Sequence, residues 1–196
     1  MNIRTTSQGI KQWAPDRFIQ AVLRSFQAES GLEPSLFGPR FRVTGVQVGQ
    51  VNFEMDIEKD HTNRFRTLHG GTLASLVDFG GSLAIASTGR FHTGLSTDLN
   101  ISYLAPGGVP GDVIKGCAIC DRIGRKLAFT TVTFMDKYGD IAARGSHTKY
   151  LTTVMTREDA FVPPEEFAEE ASDRAMSPHT LSNPYPSEHA RGPRKW

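Results

Sequence analysis

The sequence predicts an α+β fold in which an antiparallel sheet wraps around one long buried helix. Three observations carry that expectation. The stretch Gly71–Thr88, GTLASLVDFGGSLAIAST, is apolar or small on nearly every side, as in a helix enclosed by other structure rather than lying on a surface. Segments of period-two hydrophobicity stand in runs on both sides of it, a pattern of hairpins rather than parallel crossover units. The chain has 196 residues, enough for one domain with a substantial core plus tails and hardly enough for two.

The elements follow in order. Pro15-Asp16 opens an amphipathic helix with Phe18, Val22, Leu23 and Phe26 on one face; Gly31, Pro34, Gly38 and Pro39 end it. Phe41, Val43, Val46 and Val48 mark a first strand, and Val51, Phe53, Met55 and Ile57 a second, with Gly49-Gln50 as the tight turn between them. After the long helix come strands at Leu95–Leu104, Val113–Asp121, Lys126–Met135 and Ile141–Leu151, the last two joined by a turn over Asp136–Asp140. The expected organisation is an N-terminal segment over 1–40, the main domain over 41–153 and a Pro-rich tail over 154–196. Met1–Gln12 lacks the apolar core of a secretory signal; an irregular terminus is expected there, with a mitochondrial presequence as the alternative. Pro163–Ala171 is read as one short helix and Asp173–Trp196 as disordered, because its sparse aliphatic content cannot offset the entropy of ordering.

Composition narrows the function. Lys and Arg number 22 against 21 Asp and Glu, a formal net charge of +1, which argues against a protein held to nucleic acid by bulk charge. No run approaches the roughly 20 apolar residues of a membrane span. Two cysteines do not make a disulfide framework and point to a reducing compartment, cytoplasmic with mitochondrial as the second option. Cys117 and Cys120 have metal-ligand spacing, but residues three apart on a strand face opposite sides, so no metal is expected.

The chemistry concentrates in Asn63-Arg64-Phe65-Arg66-Thr67-Leu68-His69-Gly70-Gly71 and in Asp78 beyond it. Glycines at a strand-to-helix junction either turn the corner or offer free N–H groups, at the positive end of a helix dipole, to a developing oxyanion. Asp78 interrupts Leu73, Leu76, Val77, Phe79 and Leu83 in the most apolar helix of the chain. A buried carboxylate costs several kcal/mol unless paired or used, and no basic residue lies within a turn or two on that helix. It is therefore either hydrogen-bonded across to a strand or a base or nucleophile. Gly70 and Asp78 stand about 12 Å apart along a helix axis, too far for one carbonyl group to touch both. If both act on the same atom they come from two chains, and the protein is a dimer with its site at the seam. In the strand Leu95–Tyr103, simple alternation puts Leu95, Thr97, Leu99, Ile101 and Tyr103 on one face and Ser96, Asp98, Asn100 and Ser102 on the other. Ser96 is then either an ordinary polar-face serine or one that orients a water.

The set Asn63-x5-His69-Gly70-Gly71-x6-Asp78, followed by Leu95-Ser96-x-Asp98-Leu99-Asn100-Ile101-x-Tyr103, Leu127-Ala128-Phe129-Thr130 and Gly145-Ser146-His147-Thr148-Lys149, resembles the hot-dog-fold acyl-CoA thioesterases, in the branch of the phenylacetate-pathway enzymes and thioesterase superfamily member 2. The resemblance covers about Phe41 to Leu151. It implies hydrolysis of an acyl-CoA to free acid and coenzyme A without a cofactor, in a dimer or a dimer of dimers. Asp78 would be the catalytic carboxylate, Gly70 the oxyanion donor, Asn63 and His69 supports of the carbonyl and its loop, and Ser96 the residue that positions water. Coenzyme A contacts would fall at Lys59, Tyr103, Leu104, Ala105, Pro106, Arg122, Gly124, Arg125, Lys126 and His147. Arg122, Arg125 and Lys126 are cations suited to nucleotide phosphates, or simply a basic hairpin turn. Phe79-Gly80-Gly81 departs from the family pattern and is expected to reshape the acyl pocket. A non-catalytic acyl-CoA-binding protein and a hot-dog hydratase or dehydratase are the rival readings.

Overall fold

A computed structural model describes residues 15–151. Helix α1 (Pro15–Glu29) and the short α2 (Leu32–Leu36) precede strands β1 (Phe41–Gln47) and β2 (Gln50–Asp56); then come the long helix α3 (Gly70–Ala86) and strands β3 (Leu95–Tyr103), β4 (Val113–Ile123), β5 (Leu127–Met135) and β6 (Ile141–Tyr150). The strands form one antiparallel sheet in the order β1-β2-β4-β5-β6-β3, and α3 packs across its inner face. Among the described residues no helix is long and apolar enough to cross a membrane. The helix expected over Pro163–Ala171 and the disorder expected over Asp173–Trp196 lie outside the described residues.

Helix α3 is enclosed because glycines let it approach the sheet. A Cβ at Gly80 would stand 2.8 Å from the Phe53 ring, and one at Gly81 would stand 2.5 Å from Thr130 Oγ1. On the strands, a Cβ at Gly116 would overlap the Phe53 ring and one at Gly145 would overlap Val77. The pair Gly80-Gly81, expected to reshape a pocket, thus sets the helix-to-sheet distance. Phe79 points to the β1 end of the sheet and the N-terminal helices, its ring 4.8 Å from that of Phe41, 5.5 Å from Phe37 and 5.3 Å from Phe26. Through these rings and the buried Phe18, Ile19, Val22 and Leu23, helix α1 joins the same core.

Three local expectations need correction. The β1–β2 turn is Val48-Gly49, one residue earlier than expected, since Gln47 pairs with Gln50 and Gly49 takes the left-handed φ of 80°. The segment after α1, where Gly31, Pro34, Gly38 and Pro39 are expected only to end the helix, holds the short α2, with Pro34 in its first turn, where no intrahelical donor is lost. In β3 the alternation breaks. Ser96 pairs with Lys149 while Asp98 pairs with Thr148, leaving Thr97 as a bulge whose hydroxyl donates to the Thr148 carbonyl at 3.0 Å. The bulge places Ser96 on the inner face with Leu99, Ile101 and Tyr103, and Leu95 on the outer one.

Replacing Gly116 by Ala forces the buried Phe53 ring to move and is expected to cost ~1–3 kcal/mol, lowering the thermal midpoint by about 3–10 °C. Gly31→Ala, with nothing within 4 Å of the new methyl, is the control and leaves the midpoint within about 2 °C. Equal midpoints for the two variants, read by circular dichroism, would contradict glycine-controlled packing of α3.

Candidate active site

The first group of candidate residues gathers at the start of α3. Asn63 organises the loop that leads there: its Nδ2 donates to Thr67 Oγ1 at 2.9 Å, and its Oδ1 accepts from the N–H groups of Phe65 at 2.9 Å and Thr67 at 3.3 Å. This bracing holds Arg66 at a φ of 59°, in the left-handed region. His69 caps the helix, its Nδ1 accepting from the Gly71 N–H at 2.8 Å. Gly70 is the first helical residue; its N–H belongs to the turn that has no intrahelical acceptor, and its carbonyl accepts from the Tyr103 hydroxyl at 2.9 Å. A Cβ on Gly70 would press on the Tyr103 ring at 3.1 Å, so glycine lets β3 and the helix start meet. His61, which sequence reasoning passed over, supports this end from below. It is buried; its Nδ1 accepts from the Glu58 N–H at 2.9 Å, which leaves the proton on Nε2 to donate to the Leu36 carbonyl at 2.8 Å.

The second group surrounds Asp78. The carboxylate is not stranded in apolar surroundings: its side chain is 45% exposed, on the side facing β3. The bulge delivers Ser96 to it, with Oγ 3.3 Å from both carboxylate oxygens. From β6, Lys149 Nζ donates to Oδ1 at 3.2 Å. No basic partner exists on the helix itself, but one arrives from a strand 71 residues away in sequence. His147, two residues before Lys149 on the same inward face, stands with Nε2 3.6 Å from Oδ1, beyond hydrogen-bond distance; neither ring nitrogen has a partner among the described residues. The histidine expected to touch coenzyme A is only 1% exposed, because β6 turns it under α3, and it packs beside the carboxylate instead.

The remaining candidates divide between these two ends. Lys59, Tyr103, Leu104, Ala105 and Pro106 are exposed near Gly70, where the Leu104 and Ala105 N–H groups both donate to the Ala142 carbonyl. Arg122, Gly124, Arg125 and Lys126 are exposed at the β4–β5 turn, on the rung where Leu127, Tyr150 and Leu95 align beside Ser96. Tyr103 lies seven positions after Ser96 on β3, about 23 Å along the strand. One chain therefore carries the two groups of candidates, the candidate half-sites, at opposite ends of its edge strand and does not join them. Between the Asp78 half and α2 lies a cavity of about 230 Å³ lined by Leu32, Glu33, Phe37, Ala74, Ser75, Asp78 and Leu99. Sequence reasoning missed its α2 wall for want of the helix, and missed Lys149, whose signal was its inward register two residues after His147.

The same architecture occurs in solved proteins. The zebrafish thioesterase superfamily member 2 structure superposes with a TM-score of 0.64 at 35% identity, over 71% of this chain and 99% of that one. The chain belongs to the thioesterase superfamily. The superfamily model matches residues 65–143, from the Asn63 loop to β6. Human acyl-coenzyme A thioesterase 13 is 40% identical over 104 residues, 53% of this chain and 74% of that protein. Mouse thioesterase superfamily member 2 superposes with a TM-score of 0.61 at 32% identity, over 68% of this chain and 97% of that one. The architecture is the hot-dog fold of these thioesterases, a long helix held in a curved antiparallel sheet.

Burial holds the His147 imidazole neutral by pushing its pKa below the ordinary 6.5; the Asp78 carboxylate opposes this and the Lys149 ammonium adds to it. An unfolded chain binds that proton near pH 6.5, the folded one only at lower pH, so the stability from a neutral His147 is complete above about 6.5 and is lost as pH falls toward the folded value. Denaturant unfolding between pH 7.5 and 5 is expected to give a smaller loss of stability for His147→Gln than for the wild type. Parallel curves would show that His147 is not held neutral.

Proposed function

We propose that the protein hydrolyses acyl-CoA thioesters to a free acid and coenzyme A, in a site that a second copy of the chain completes. The observation that carries this reading is the separation of the half-sites along β3. Among the described residues this strand is a sheet edge, long and exposed, with no neighbouring strand on one side. Antiparallel pairing of two such edges about their middle brings Tyr103 and Gly70 of one chain beside the partner's Ser96 and Asp78. The exposed cations Arg122, Arg125 and Lys126 travel with the Asp78 half, within reach of a nucleotide's phosphates. The apolar Leu127, Phe129 and Tyr150, exposed on the sheet, support a further association of dimers. Cys117 and Cys120 face opposite sides of β4 and cannot bridge each other, and burial pushes the Cys120 thiol up to about 12, which suits a reducing compartment such as the cytoplasm.

The chemistry needs few parts. A water held by the Asp78 carboxylate and the Ser96 hydroxyl loses a proton to Asp78 as its oxygen bonds to the thioester carbon. Negative charge builds on the carbonyl oxygen, which the Gly70 N–H at the positive end of α3 meets. The tetrahedral adduct collapses, the carbon–sulfur bond breaks, and the proton on Asp78 passes to the leaving sulfur. The acyl group would lie in the cavity between Asp78 and α2, whose walls are largely apolar.

Asp78→Asn is expected to lower kcat by roughly 100-fold or more with the fold intact; a folded Asp78→Asn protein that hydrolyses acyl-CoA at the normal rate would remove the carboxylate from the mechanism. Gly70→Pro deletes the oxyanion donor at a helix position that favours proline, after a residue already extended at ψ 137°. Mixing inactive Gly70→Pro and Asp78→Asn proteins under subunit exchange should restore up to about a quarter of wild-type activity, because half of the dimers are hybrids with one intact site. No recovery despite demonstrated exchange would refute the shared site.

A further inference from the structure

Lys149 is buried, 5% exposed, and the hydrolytic reading above assigns it nothing. An ammonium taken out of water costs several kcal/mol unless it is paired and hydrogen-bonded. Two groups on α3 meet it: Ser82 Oγ accepts from Nζ at 2.8 Å and Asp78 Oδ1 accepts at 3.2 Å. Ser82 lies four residues after Asp78, so the two acceptors sit one turn apart on the same helix face, and the ammonium bridges that turn from the sheet. Asp78 is the one carboxylate paired with Lys149 among the described residues. The buried His147 ring packs against the same oxygen, its Nε2 3.6 Å from Oδ1. The other oxygen, Oδ2, is approached among the described residues only by the Ser96 hydroxyl, at 3.3 Å. The two oxygens of the carboxylate are thus unlike: one faces the protein and is held, the other is open.

We propose that Lys149 is a positioning residue for the reaction: its ammonium, anchored on Ser82, pins Oδ1 of Asp78 and leaves Oδ2, beside Ser96, as the oxygen that takes the proton from water. The proposal rests on the hydrolytic reading and adds to it which oxygen acts and what holds it. A carboxylate free to rotate about its last torsion would share its time between orientations, and a misplacement of about 1 Å can cost about 100-fold in rate. The charged and titratable groups around Asp78 are Lys149 and His147 from β6 and Glu33, which lines the same cavity from α2; Asp98 on β3 lies on the outer face of the sheet, beyond the bulge.

The test is steady-state hydrolysis of an acyl-CoA by the full chain and its Lys149→Met, Lys149→Arg and Ser82→Ala variants, with fold and oligomeric state checked by circular dichroism and light scattering. Lys149→Met is expected to lower kcat about 10- to 100-fold while KM stays within about 3-fold. Lys149→Arg keeps the cation and should recover part of the lost kcat, which a purely structural defect would not. Ser82→Ala leaves the ion pair but removes its anchor, and should lower kcat about 3- to 10-fold with KM unchanged. A folded Lys149→Met protein with wild-type kcat would overturn the proposal; if that variant does not fold, Ser82→Ala at the wild-type rate would do so. Should the wild type release no coenzyme A from any acyl-CoA tried, the hydrolytic reading itself fails. If the wild type is active, Asp78→Asn is dead and Lys149→Met is normal, only the role of Lys149 is lost.

Discussion

Helix α3 carries a carboxylate in a stretch that is otherwise apolar or small, and the ion pair of Asp78 with Lys149 is the contact on which the site depends. It joins helix to sheet: Lys149 comes from β6, Ser82 and Asp78 from α3, and Ser96 from the neighbouring β3. Such a convergence requires the helix to sit close to the strands. Glycines on both layers make that possible, Gly80 and Gly81 on α3 and Gly116 and Gly145 on β4 and β6. A side chain at any of these positions would push α3 outward and lengthen the reach Lys149 must span.

The bulge at Thr97 serves the same convergence. With a regular ladder, Ser96 would point to the outer face and the carboxylate would lose its hydroxyl neighbour. One extra residue turns Ser96 inward and keeps Leu99, Ile101 and Tyr103 on the inner face as well, where Tyr103 closes on the Gly70 carbonyl. A single edge strand thereby presents a carboxylate at one end and a helix N-terminus at the other. On the proposed reading, two-fold pairing of that edge turns two incomplete halves into two complete sites, and catalysis and assembly become one property.

Much of the fold was legible because its signals are local. The apolar face-to-face content of Gly71–Thr88, the period-two segments and the turn chemistry of Asp136–Asp140 each report on their own neighbourhood. The carboxylate and the glycine pair stand out in the sequence as candidates, an anomaly in an apolar helix and a helix-start signature. The spacing of Gly70 and Asp78 even indicated that one chain cannot bring them together. What escaped was non-local or depended on irregular backbone. Lys149 lies 71 residues from its partner, and nothing near Asp78 in sequence announces it. The bulge inverts the facing of Ser96, and no alternation count detects an inserted residue. His147 was read as a ligand contact by position along the chain, whereas its register under α3 buries it. Helix α2, a wall of the cavity beside Asp78, hides in a stretch whose prolines and glycines read as the end of α1.

The claim that two chains share each active site is tested most directly by measuring specific activity and oligomeric state in the same solutions, over a dilution series that crosses dissociation of the assembly. The account predicts that turnover per chain falls in proportion to the fraction of dimer and vanishes in the monomer. A monomer, identified by its mass, that hydrolyses acyl-CoA as fast as the dimer would contradict it.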